Sequence, residues 1–250
     1  MKNNLAAVAA LSLFCSSASW AETEVSPYRP SVASSTVVSA PGFFELEAGV
    51  QKVKNKDDSG QFNVPWLLKY GINDHFGVSV GGDSFLSVDD GAGNKISGVG
   101  NSLVSVRLLH PLNDANILGI EATVTLPTAK DSLGSGKSDY IINGLYGVDM
   151  GNFHADLNLS YVRLGIDDGD GQNFNGWAAA VSHPLGEKGG LTLEVSGVKY
   201  HSAPNTTQFL VAYAYTVSRH LVVDIGAAGG LNDNPFKGSV FTGFAYLLDR

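Results

Sequence analysis

The sequence predicts an all-β chain that closes into an antiparallel transmembrane β-barrel of about twelve strands. Three observations lead there. Apolar and polar residues alternate along segments of about ten residues. These segments number about twelve, the even count a closed antiparallel barrel needs. The links between them alternate between tight turns and long loops.

The bulk composition agrees. A chain of 250 residues suffices for one all-β domain. Only 16% of residues are charged, 44% are hydrophobic, and there are 30 glycines. Beyond the first segment no apolar run approaches the ~20 residues of a spanning helix. The net charge of −8 excludes a nucleic-acid binder, which needs a basic face for phosphates.

Met1 to Ala21 reads as a secretory signal peptide. Lys2 supplies the positive start, Leu5 to Phe14 the apolar run, and Ser19-Trp20-Ala21 the small residues of a cleavage site near Ala21. Cys15 is the chain's one cysteine and lies inside this segment. The bulk of Phe14 speaks against lipidation there. The mature chain then has no disulfide. Residues 22–42, rich in Ser, Pro and Val, show no period and read as an extended periplasmic lead-in. Residues 43–250 form the barrel.

Each strand is legible from its alternation. The first carries Phe44, Leu46, Ala48 and Val50 on one face and Glu45, Glu47, Gly49 and Gln51 on the other. The second sets Phe62, Val64, Trp66, Leu68 and Tyr70 against Gln61, Asn63 and Lys69. The third sets Phe76, Val78 and Val80 against Ser79 and Asp83. The fourth sets Val104, Val106 and Leu108 against Ser105 and Arg107, and the fifth Leu118, Ile120 and Val124 against Glu121 and Thr123. Tyr140, Ile142, Tyr146 and Val148 mark the sixth. The seventh sets Leu157, Leu159 and Tyr161 against Asp156, Asn158 and Ser160. The eighth, around Trp177 to Val181, is weaker. Leu191, Leu193 and Val195 oppose Thr192 and Glu194 in the ninth. Phe209 to Val217 is the tenth, Leu221 to Ile225 with Asp224 the eleventh, and Val240 to Leu248 the twelfth.

The apolar faces end in Tyr, Trp or Phe, as lipid-interface girdles do. Links at 71–74, 110–115, 149–152, 184–190 and 218–220 are short. Those at 54–60, 86–98, 127–137, 165–173, 201–206 and 230–237 are longer. With both chain ends periplasmic, every long link faces outward.

The register turns the candidate site residues inward: Glu45, Glu47, Lys69, Asp83, Arg107, Glu121, Asp156, Glu194 and Asp224. Two readings apply to them. One is an ion-pair lattice that stiffens the lumen; the other is a polar constriction with an acidic bias towards cations. Arg163 and Lys199 fall on the lipid face at the outer strand ends. They read as contacts to lipopolysaccharide phosphates or as side chains snorkelling to water. The acidic loops, with Asp57-Asp58, Asp89-Asp90, Asp131, Asp167, Asp233 and Asp168-Gly169-Asp170-Gly171, read as polar tips or as weak divalent-ion or lipopolysaccharide-bridging sites. The last lacks the later Glu and the glycine position of a calcium loop.

Catalysis has little support, and no G-x-S-x-G nucleophile elbow is expected. The histidines, among them His75, His154 and His201, are scattered without metal-ligand spacing. No catalytic residue, metal or cofactor is expected. The expected partners are membrane lipid, lipopolysaccharide, a small-molecule solute and the envelope's barrel-assembly machinery, with no nucleic acid.

Four stretches carry a family resemblance. They are Arg29-Pro30-Ser31 with Pro41-Gly42-Phe43-Phe44-Glu45-Leu46-Glu47, Val64-Pro65-Trp66-Leu67-Leu68-Lys69-Tyr70-Gly71, Gly98-Val99-Gly100-Asn101, and Thr125-Leu126-Pro127-Thr128. The chain resembles the outer-membrane transporter family linked to the MetA pathway of phenol degradation. Asn101 stands where that family often has Asp, Ala129 where it has Gly, and the chain ends on Asp249-Arg250 without a terminal Phe. The resemblance implies a barrel that passes small aromatic or hydrophobic molecules. The sequence also allows a non-transporting barrel whose lumen is filled by side chains and by residues 22–42, and which serves surface interaction or envelope integrity. A third reading, a soluble periplasmic barrel with a ligand inside, requires an apolar lumen.

Overall fold

The computed structural model describes residues 23–130, 132–166, 173–200, 205–231 and 235–248. The expected signal peptide, with Cys15 and Ala21, lies outside the described residues. So do Asp131, Asp167, Asp168, Asp170, His201 and Asp233.

The described residues form thirteen strands: β1 Phe44–Asn55, β2 Gly60–Asn73, β3 Phe76–Asp89, β4 Lys95–Gly98, β5 Ser102–Asn113, β6 Asn116–Leu126, β7 Tyr140–Met150, β8 Phe153–Arg163, β9 Asn173–Leu185, β10 Gly189–Tyr200, β11 Thr206–Ser218, β12 Leu221–Gly230 and β13 Phe236–Leu247. Every strand pairs antiparallel with its neighbour. β1 meets β13 with Leu46 opposite Tyr246, which closes a twelve-stranded barrel. Closure pairs each wall strand on both sides across the membrane-spanning zone, as lipid requires.

β4 is the thirteenth strand and stands outside the ring. β3 pairs with β5 from Phe76 to Gly82, then runs on to pair with β4 between Leu86 and Asp89. The link expected at 86–98 is therefore a hairpin arm that prolongs the wall. Its tip is built by Asp90, whose carboxylate accepts hydrogen bonds from the Asn94 side chain and from the N–H groups of Ala92 and Asn94. These bonds hold its carboxyl below the usual carboxylate range. Asp57 caps the β1–β2 loop in the same way through Ser59.

The exterior is apolar. Leu159 is 73% exposed and Ile225 62%, and Phe44, Leu118, Ile120, Tyr140, Leu157 and Val240 lie exposed on the same outer surface. Water would penalise such a surface at about 25 cal/mol per Å², so the wall belongs in lipid. The interior is polar: Glu45, Lys69, Glu194, Ser196, Asn158 and Arg107 are buried there. This polarity is the reverse of a soluble ligand-binding barrel.

Residues 24–42 are not a lead-in outside the barrel. They enter at the end that carries the tight turns, where Val25 N–H donates to Arg219 O. They run up the lumen to a tip at Val32-Ala33 and return to Gly71, where Pro41 forms a parallel bridge. The sequence expectation is corrected for a physical reason. The barrel interior carries more acid than base, and the loop supplies the missing donors.

Candidate functional site

The lumen-facing positions of the wall hold seven carboxylates (Glu45, Glu47, Asp83, Glu121, Asp156, Glu194, Asp224) and two cations (Lys69, Arg107). All nine point inward, and seven are buried. β1 places Glu45 and Glu47 two residues apart on one face, beside Lys69 of β2. Lys69 Nζ lies 2.6 Å from Glu45 and 2.5 Å from Glu47. Two strands further round the wall, Arg107 of β5 faces Glu121 of β6 and binds it through both Nε and Nη2.

The loop bonds most of the other lumen carboxylates, while Glu194 Oε1 stays buried without a partner. Glu45 accepts the N–H of Ser26, and Glu47 accepts those of Tyr28 and Arg29. Glu194 accepts Val32 N–H and Ala33 N–H at 2.8 and 2.9 Å. Asn158 accepts Ser34 N–H, and Asp156 accepts both N–H and Oγ1 of Thr36. Asp224 forms a bidentate pair with Arg29, at 2.9 Å on both oxygens. Bonds to an ionised acceptor contribute about 1.5–3 kcal/mol each, against which the cost of desolvating the acids is set. Cations return the favour: Lys69 donates to Ser26 O, and Arg107 Nη1 donates to Ser35 O and Val37 O. The Tyr28 ring sits between them, 3.8 Å from Lys69 Nζ and 3.6 Å from Arg107 Cζ.

Close approach is possible because the wall is glycine and alanine where the loop touches it. A Cβ on Gly147 would sit 1.8 Å from Thr36 Oγ1, and one on Gly71 2.0 Å from Ser39 O. Ala33 packs, fully buried, against Ala178 and Ala180 of β9.

Beyond the tip, toward the long loops, a cavity of about 820 Å³ opens. Its floor is Arg29, Ser31 and Val32. Leu67, Leu103, Ile141, Val162, Leu164 and Phe174 give it apolar wall, and Asn63, Asp83, Asn101 and Asp139 give it polar wall. Two smaller cavities, of about 390 and 200 Å³, also rest on Val32. Asn101 ties two of the stretches that carry the family resemblance together: its Oδ1 accepts the N–H of Ala129, while Thr128 Oγ1 accepts that of Ser102.

Arg163 and Lys199 lie exposed on the outer face, at the ends of β8 and β10 that carry the long loops. His154 bonds Asp149 and Asp156. Sequence reasoning missed Tyr28 and Arg29, since it placed them outside the barrel. The signal was the imbalance itself: seven inward acids with two inward bases call for a third cation. It also passed over Gly77-Val78-Ser79-Val80-Gly81, which spells G-x-S-x-G. That stretch runs straight within β3 with Ser79 buried, not at the strand-to-helix turn a nucleophile elbow requires. Among the described residues no group of three or more His, Cys, Asp or Glu could hold a metal ion.

No protein-family model matches the chain, and no curated protein matches it. Solved structures do match in fold. The COG4313 outer membrane channel from Pseudomonas putida F1 superposes with a TM-score of 0.70 at 14% identity, over 88% of this chain and 100% of that one. The KdgM porin gives 0.58 at 9% identity, over 81% and 99%. The CymD monoaromatic hydrocarbon channel gives 0.53 at 10% identity, over 84% and 89%. The chain has the fold of these outer-membrane barrels.

Proposed function

We propose that this protein is an outer-membrane channel for small molecules, with aromatic or hydrophobic solutes as its class. The observation that carries this is the cavity of about 820 Å³ held inside a lipid-facing barrel, with an apolar wall above a polar floor. Such a cavity matches the size and mixed lining of small-molecule sites. The loop 24–42 and the lumen charges Glu45, Glu47, Lys69, Arg107, Glu121, Asp156, Glu194 and Asp224 form the constriction beneath it, and Asp83 stands in the cavity above. The resemblance to the phenol-degradation-linked transporters supports the solute class. Residues 1–21 serve as the signal that delivers the chain to the periplasm, for insertion by the barrel-assembly machinery. Arg163 and Lys199 contact lipopolysaccharide phosphates.

One observation favours the non-transporting reading: the loop occupies the lumen and is bonded to wall residues of six strands. Recordings in a planar bilayer separate the two. The channel reading expects discrete conductance steps, and silence across many insertions overturns it. In the same recordings, Glu45→Gln with Glu47→Gln leaves Lys69 uncompensated and lowers cation preference. An unchanged reversal potential removes these two acids from the constriction.

A further inference from the structure

We propose that the outer cavity binds small primary ammonium compounds with an apolar body, and that Asp83 receives their charge. The inference rests on the channel reading above and narrows its solute class.

The argument is a balance of charge within one cavity. Of the charged residues lining it, Arg29 is paired with Asp224, Glu47 with Lys69, and Arg107 with Glu121. Asp139 is satisfied by neutral donors, accepting Thr125 Oγ1 on one oxygen and Gly165 N–H on the other. Asp83 has no cationic partner among the described residues. Its Oδ1 accepts one hydrogen bond, from Asn63 Nδ2 at 2.8 Å. Asn63 is itself buried, and its Oδ1 has no hydrogen-bond partner. The Asp83 carboxylate thus stands in the cavity wall with one neutral donor and no cation, backed by a buried amide oxygen that has no donor of its own. No cation in the lining is left over to attract an anion.

The position is fixed by the backbone. β2 shifts register between Val64 and Pro65 opposite Asp83, and Gly100 packs against Asp83, donating its N–H to Asp83 O. The break between β4 and β5 at residues 99–101 lies beside it. Leu67 and Leu103 flank this corner, and Ile141, Val162, Leu164 and Phe174 line the rest of the cavity. A protonated amine meets the Asp83 carboxylate at the wall while its hydrocarbon part lies along these side chains. An ionised acceptor binds a charged donor more strongly than a neutral one.

The test is calorimetric titration of the full chain in detergent with three ligands of one shape: 2-phenylethylammonium, 2-phenylethanol and phenylacetate. Each titration is referenced to detergent alone. The ammonium is expected to bind about tenfold tighter than the alcohol, and phenylacetate weakest of the three. Asp83→Asn should abolish the preference and Asp83→Glu should keep it, with the heat-modifiable gel shift confirming that each barrel is folded. Equal affinity for the three ligands in the unaltered protein overturns the proposal. So does a preference that survives in folded Asp83→Asn. Titration needs no ion flow, so a silent bilayer removes the channel and leaves this site to be judged separately.

Discussion

Arg29 and Asp224 show how much of the lumen depends on single side chains. Asp224 is 5% exposed and has one cation, supplied from a residue 195 positions away in sequence. Removing one partner of such a buried pair leaves a charge without compensation, a loss of about 3–5 kcal/mol. Arg29→Ala is therefore expected to loosen the loop, seen as a larger share of time in a high-conductance state. Arg29→Ala combined with Asp224→Ala should be milder than the sum of the two single changes. Strict additivity would mean that the pair does not hold the loop. Asp224 itself was legible in the sequence, from its place opposite Val223 and Ile225 in an alternating strand. Its partner was not, because alternation says which way a side chain points and nothing about what a distant loop brings to it.

At the scale of elements, the loop 24–42 is the piece whose place decides what the barrel can do. Its two ends bond the backbone of Arg219 and Gly71, and between them many of its peptide groups bond side chains of the wall. Such an element can be fixed by a crosslink. A Cβ on Gly77 would lie 3.5 Å from Val38 Cβ, at the short end of the disulfide range. Val38→Cys with Gly77→Cys should oxidise spontaneously and leave the basal conductance of the closed lumen unchanged. It should also suppress the openings that Arg29→Ala produces, until a reductant is added. Failure of the pair to crosslink in the folded barrel would show that the loop sits elsewhere. The strands were legible one by one, since β-branched and aromatic residues alternate with Ser, Asn and acids. The arm formed by β3 and β4 was not: Leu86 to Asp89 and Lys95 to Gly98 are too short to stand out as strands. They become strands because β3 offers an unpaired edge beyond Gly82.

For the whole molecule, the dominant fact is the inversion of polarity, apolar outside and charged inside. It fixes the environment as lipid and turns the outer rim into an interface with lipid headgroups. Arg163 and Lys199 stand at that rim on strands two apart, a spacing of about 10 Å. Each cation near an anionic surface contributes about 1 kcal/mol. Arg163→Ala with Lys199→Ala is expected to weaken binding of detergent-dispersed lipopolysaccharide by roughly thirtyfold at low salt, measured by co-elution. Binding that stays the same would assign both residues to water.

The sequence by itself determined the barrel, its strand count, its orientation of faces and the inward acids. These follow from local rules: a strand's period is two, and lipid admits no open edge. Only the tertiary structure decided that residues 24–42 lie within the lumen. It alone also joined Tyr28 to Lys69 and Arg107, and left Asp83 without a cation. Those pairings join residues far apart in the chain, and charge compensation inside a closed wall is settled when the wall closes around its contents.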